Sequence, residues 1–186
     1  VLNVVTGPGS EIGDRVASHP ASDVVSFTGS TEVGRHVAKL AGENLAVPAM
    51  ELGGNNAHIV TDNADIDAAV DAGVFGSFIH QGQVCISINR HIVHEDVYDE
   101  YVGQLTERAA NLPAGSAHDQ VAVGPIVNED QRDQMLDFVD RTVDAGATLE
   151  TGGGIVERDD VDDSLVVEPT VLSGVPNEMA AACHEH

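Results

Sequence analysis

Residues 23–54 read DVVSFTGSTEVGRHVAKLAGENLAVPAMELGG, and this stretch decides the fold class. Asp23–Phe27 is a short apolar run with β-branched and aromatic members, which predicts a buried strand. Thr28-Gly29-Ser30 is a tight joint after it, and the residues from Thr31 to Ala41 carry helical spacing. Val47–Leu52 is a second extended run, with Pro48 near its start and Gly53-Gly54 as its stop. Strand, helix and strand in this order predict a parallel pair, because a helical crossover returns the chain in the same direction.

The same alternation extends outward. Leu2–Val5 is a strand candidate, and Ser10 is placed to N-cap a helix over about Glu11–Ser18. Ala57–Val60 predicts another strand. A helix from near Ala64 follows it, with Ile66, Ala69, Val70, Gly73, Val74, Ser77 and Phe78 at i, i+3, i+4 and i+7 spacing. Gln81-Gly82-Gln83 breaks that helix, and Ile86–Val93 reads as a strand. Val97 to Ala109 and Met135 to Val143 mark two further helices. Thr148–Thr151 and Leu165–Leu172 are late strands around an acidic turn at Asp159–Asp163. The chain is therefore expected to be α/β. Glycine joints are dense up to Gly54, which sets an expected domain boundary near Gly53-Gly54.

Charge narrows the function classes. The 186 residues hold 8 Lys+Arg against 31 Asp+Glu, a formal net charge of -23, with a normal hydrophobic share of 42%. Nucleic-acid binding needs a basic face, and docking to an anionic membrane surface needs basic clusters, so no nucleic acid and no membrane are expected as partners. No apolar run approaches the roughly 20 residues of a spanning helix. The acids are spread along the chain rather than gathered in a tail, and Lys39 is the sole lysine. Such a chain repels itself in dilute buffer and suits molar salt, where the Debye length is roughly 3 Å; we expect a halophilic protein. Cys85 and Cys183, without a basic leader at the N-terminus, predict a reducing, cytoplasmic setting.

Chemistry can sit at three places. Cys85 lies in a glycine-bearing break between a helix and a strand, where a thiol is either a nucleophile or a small buried hydrophobe. Glu51 ends an apolar strand; desolvation there would raise its pKa toward a general base, unless the following Gly53-Gly54 turn exposes it. Gly29-Ser30 joins a strand to a helix N-terminus, a place where backbone N–H groups meet anions. Gly7-Pro8-Gly9-Ser10-Glu11-Ile12-Gly13 is one residue too long for a dinucleotide fingerprint. His91/His94 and His184/His186 have chelating spacing, but no acid or cysteine completes a set, so solvated histidines and no metal are expected. A thiol hydrolase using Cys85 with His80 or His91 is an alternative that spacing alone leaves open.

In order along the chain, these segments resemble the aldehyde dehydrogenase superfamily. Phe27-Thr28-Gly29-Ser30-Thr31-Glu32-Val33-Gly34 is similar to its cofactor-loop motif. Glu51-Leu52-Gly53-Gly54-Asn55-Asn56 is similar to its glutamate motif, and Gly82-Gln83-Val84-Cys85, with Asn89-Arg90 after it, to its cysteine motif. Gly124-Pro125-Ile126-Val127 and Glu168-Pro169-Thr170-Val171-Leu172 extend the likeness over essentially the whole chain.

The resemblance implies the end of a Rossmann-type NAD(P)-binding domain (1–52), then most of an α/β catalytic domain (53–186). It implies an NAD- or NADP-dependent oxidation of an aldehyde to the acid. Cys85 would be the nucleophile, passing through a thiohemiacetal and a thioester, with its backbone N–H on the oxyanion. Glu51 would activate water. Gly29 and Ser30 would face the cofactor pyrophosphate, the Leu52 carbonyl the nicotinamide amide, and Glu185 the nicotinamide ribose. The family's second oxyanion donor, its adenosine-ribose lysine and the Phe-Gly-Pro after the ribose glutamate have no counterpart, and Asn55 stands where a lysine is usual. The chain is therefore expected to be an internal fragment, inactive alone, of a parent that forms a dimer or tetramer. An inert fragment or a non-enzymatic binding protein on the same scaffold is the alternative. Phe75 to Gln83 lean toward the benzaldehyde or vanillin branch.

Overall fold

A computed structural model describes residues 2–116, 118, 120–157, 165–177 and 179. The chain divides into two compact units, Val1–Gly53 and Gly54–His186.

In the first unit, α1 (Gly9–Ala17), β1 (Val24–Gly29), α2 (Thr31–Glu43) and β2 (Val47–Leu52) follow in order. β1 and β2 pair in parallel, from Val24 opposite Val47 to Gly29 opposite Leu52, with α2 as the crossover. Gly34, Val37 and Ala41 of α2 are buried at i, i+3 and i+7. Val37 and Ala41 join a core of Ala17, Val25 and Ala46, with Phe27, Leu40 and Met50 packed against it. A Cβ at Gly34 would run into the Leu52 side chain, so the glycine lets that side chain lie against α2.

The expected Leu2–Val5 strand does not form; Leu2 is 88% exposed, and among the described residues no segment pairs with it. A strand is defined by its ladder, and apolar character cannot supply a partner. Nor is Ser10 the N-cap. α1 starts at Gly9, with Pro8 as the cap residue and its carbonyl accepting from the N–H groups of Glu11 (2.9 Å) and Ile12 (3.1 Å). Proline's fixed φ prepares the first turn before the serine is reached.

The second unit opens with another crossover: β3 (Asn56–Val60), α3 (Ile66–Phe78) and β4 (Ile88–Val93), the strands again parallel. Asp65 caps α3 by accepting from the Ala68 N–H at 3.1 Å. α4 (Tyr98–Ala110) packs on α3, and the core gathers Val60, Val70, Tyr101, Leu105, Ala109 and Val171. α5 (Glu129–Asp144) leads to β5 (Thr148–Thr151), which pairs antiparallel with β6 (Val171–Ser173). The expected strand over Leu165–Leu172 shrinks to β6 and a single bridge from Val167 to Ile155. Pro169 interrupts it, having no N–H to give a ladder. The acidic turn at Asp159–Asp163 lies outside the described residues.

Candidate active site

Parallel pairing sets the residues singled out in the first unit side by side. Gly29 and Ser30 end β1 and open α2, while Glu51 and Leu52 end β2, opposite Thr28 and Gly29. All four lie at the carboxyl ends of parallel strands, the edge where open α/β sheets place their ligands. Gly29 is exposed, and a Cβ on it would meet the Phe27 ring at 2.6 Å, so the joint is bare backbone. Ser30 is the N-cap of α2, its hydroxyl accepting from the Val33 N–H at 3.4 Å. Glu32 occupies the first turn of α2, so anion binding there would rest on N–H groups against an acidic neighbour. Glu51 is exposed, so of the two readings left open for it the structure has the one in which the turn leaves the acid in water. On β2 its side chain alternates away from the face that carries Met50 into the core.

In the second unit the decisive element is the turn between α3 and β4. His80 (φ 50°), Gln81 (φ 58°) and Gly82 (φ 72°) are consecutive left-handed residues. Only the glycine adopts this without penalty; each of the other two costs roughly 1 kcal/mol or more. The reversal ends α3 and sets Cys85 on an exposed arc as a free thiol.

Three side chains hold this arc. Ser87, 3% exposed, directs its hydroxyl at the carbonyls of Gly82 (2.9 Å) and Val84 (2.8 Å) from inside. Gln83 accepts from the Val127 N–H at 2.8 Å and donates to the Pro125 carbonyl at 3.4 Å. Asn56, at the start of β3, donates its amide to the carbonyls of Cys85 (2.7 Å) and Ser87 (2.9 Å). Sequence reasoning gave no tethering role to Asn56, Gln83 or Ser87. The available signal was topological: two parallel strands begin side by side, so the first residue of β3 lies beside the approach to β4.

The histidine expectation is corrected as well. His91 is not solvated: it sits among β4, α3 and α4, with Ser77 Oγ 2.9 Å from Nε2 and Tyr101 Oη 2.7 Å from Nδ1. Burial, then the nearby His58, lowers its pKa from 6.5 to about 4, and burial pushes Tyr101 up to about 12. With both ring nitrogens engaged, His91 has no position left to take a proton from Cys85. Among the described residues, no three His, Cys, Asp or Glu side chains form a candidate metal site. Glu185, Cys183, His184 and His186 lie outside the described residues.

The family described as "Aldehyde dehydrogenase family" matches residues 1–186. The vanillin dehydrogenase of an Amycolatopsis species is 43% identical over 175 residues, 94% of this chain and 34% of that protein. The benzaldehyde dehydrogenase YfmT of Bacillus subtilis is 39% identical over 186 residues, 100% of this chain and 37% of its own length. A crystal structure of betaine aldehyde dehydrogenase from Staphylococcus aureus in complex with NAD+ superimposes with a TM-score of 0.93 at 36% identity. It covers 96% of this chain and 36% of that one. The chain spans about a third of the length of these relatives.

Proposed function

This chain belongs to the aldehyde dehydrogenase family, and from that premise we propose that the complete protein oxidises an aldehyde to its carboxylic acid, with Cys85 as nucleophile. The observation that carries this reading is the exposed Cys85 thiol on an arc whose backbone is fixed on three sides. The Cys85 sulfur, as thiolate, adds to the carbonyl carbon and forms a thiohemiacetal. The Cys85 backbone N–H lies next to the developing oxyanion and is the donor this chain supplies. Becoming a thioester would cost the thiohemiacetal a hydride, which a bound nicotinamide would accept; Glu51 takes a proton from water, whose oxygen attacks that thioester, so the acid leaves and the thiolate is restored.

A nicotinamide cofactor fits the first unit on one observation: the Gly29 joint is bare backbone at a helix N-terminus, beside the end of β2. Gly29 and Ser30 would hold its pyrophosphate, the Leu52 carbonyl its carboxamide and Glu185 its ribose. When bound, NAD or NADP supplies the hydride acceptor. On this reading residues 1–52 are the end of the cofactor domain and 53–186 the thiol domain. Aromatic aldehydes are the proposed substrate class, supported by the vanillin and benzaldehyde dehydrogenases among the relatives and by Phe75, 70% exposed on α3. A homo-oligomer in the cytoplasm completes the proposal.

The test pairs two variants of the complete protein, assayed with benzaldehyde and NAD+. Cys85→Ala should lose more than about a thousand-fold in kcat while binding NAD+ within a few-fold. Glu51→Gln should give a burst of reduced cofactor and then a slow steady state, because the amide cannot accept the water's proton. Turnover surviving in Cys85→Ala, or an unchanged steady state in Glu51→Gln, removes the corresponding role.

A further inference from the structure

The side chain of Asn56 makes a contact that neither the aldehyde chemistry nor the core explains. Its amide nitrogen reaches two carbonyls of one arc, Cys85 at 2.7 Å and Ser87 at 2.9 Å, across 29 and 31 residues of sequence. The backbone around it is adapted to this. The β3–β4 register shifts between Asn56 and Ala57, so Asn56 faces Ile88 while Ala57 already faces Arg90. Such an irregularity takes the first residue of a strand out of the regular ladder and re-aims it.

We propose that Asn56 is a positioning residue for Cys85, fixing the thiol's direction by holding the carbonyl of the nucleophile's own residue. The inference rests on Cys85 being the nucleophile. A carbonyl clamped on the C-terminal side of Cys85 fixes its ψ, and the Ser87 carbonyl fixes the arc two residues on. Ser87 and Gln83 hold the arc at Gly82, Gln83 and Val84, but the clamp on Cys85 itself is the Asn56 amide. The two carbonyls need a donor, so shape alone is not enough: an aspartate of the same size would face them with oxygen.

Asn56→Asp and Asn56→Ala, made in the complete protein beside Cys85→Ala, test this with benzaldehyde and NAD+ as substrates. In both Asn56 variants kcat should fall by about 10- to 100-fold, as displacement of a reacting group by an ångström does. KM for NAD+ and the far-ultraviolet circular dichroism should stay as in the wild type, and amide hydrogen exchange over residues 82–88 should quicken by more than about five-fold. An Asn56→Asp protein with kcat within about two-fold of wild type overturns the inference, as does unchanged exchange over 82–88. Loss of the fold in Asn56→Asp assigns the residue a structural role and overturns it too. Turnover retained by Cys85→Ala overturns the nucleophile and this inference together. Turnover lost in Cys85→Ala but kept in Asn56→Asp overturns this inference alone.

Discussion

His91 shows how a single residue can couple packing to pH. A neutral imidazole needs one donor and one acceptor, and the hydroxyls of Tyr101 and Ser77 serve its two nitrogens. Protonation would force both nitrogens to donate inside a partly buried site that also holds His58, whose ring centre lies 5.6 Å away. Burial therefore holds its pKa near 4 rather than 6.5. The sign follows from linkage: above pH 6.5 both folded and unfolded states hold the neutral ring. As pH falls toward 4 only the unfolded chain takes up the proton, so stability drops across this window. At about 1.36 kcal/mol per pH unit the loss reaches at most roughly 3 kcal/mol. The chain also carries 31 acids, so the His91 contribution must be read as a difference between wild type and a variant. Urea midpoints of wild type and His91→Gln at pH 7.5 and 4.5 should show the wild type losing more. Equal losses would remove the role given to His91.

At the scale of elements, the prediction falls on α3. Gly73 is buried, and a Cβ on it would run into the Tyr101 hydroxyl and come within 3.1 Å of the His91 ring. Gly73→Ala gains roughly 0.5–1 kcal/mol of helix propensity, but overpacking a filled site costs about 1–3 kcal/mol. The tyrosine is 0% exposed and has no room to retreat, so the variant should be destabilised; a Tm at or above wild type would refute this. The same helix shows what a sequence can and cannot tell. The stripe from Ile66 to Phe78 was legible because helical periodicity is local, and Val47–Leu52 was legible because Pro48 and Gly53-Gly54 bound it. Leu2–Val5 and Leu165–Leu172 failed as strands because a strand depends on a partner elsewhere in the chain. In the candidate site, Cys85 and its glycine break were visible as residue types. The Asn56 contact across 29 residues, the exposure of Glu51 and the buried setting of His91 required the topology.

At the scale of the whole molecule, electrostatics sets the balance. Thirty-one acids face eight cations, and α5 shows the consequence at close range. Glu129, Asp130, Asp133, Asp137, Asp140 and Asp144 are all exposed on it, and only Arg132 and Arg141 oppose them. Glu129–Asp133, Asp133–Asp137 and Asp140–Asp144 are like charges four residues apart, each costing a few tenths of a kcal/mol in dilute buffer. Asp144 also stands at the helix C-terminus, where the macrodipole is already negative. Arg141 with Asp137 and Arg132 with Asp133 offset part of this, but exposed pairs are worth little. Salt shortens the reach of every repulsion, from a Debye length of about 10 Å at 0.1 M to about 3 Å at 1 M. The Tm of the complete protein should therefore rise between roughly 0.1 and about 2 M KCl, most steeply in the first half-molar, where screening changes fastest. Burial of apolar surface under salt would instead grow steadily with concentration, so the shape of the curve separates the two causes. Asp140→Lys sharpens the test: it replaces two repulsions, with Asp137 and Asp144, by attractions and places a cation in the last turns of α5. That variant should melt higher than wild type at 0.1 M KCl and gain less from added salt. A wild-type Tm that stays flat or falls over the whole range would refute a fold stabilised by screening, and with it the halophilic reading of the composition.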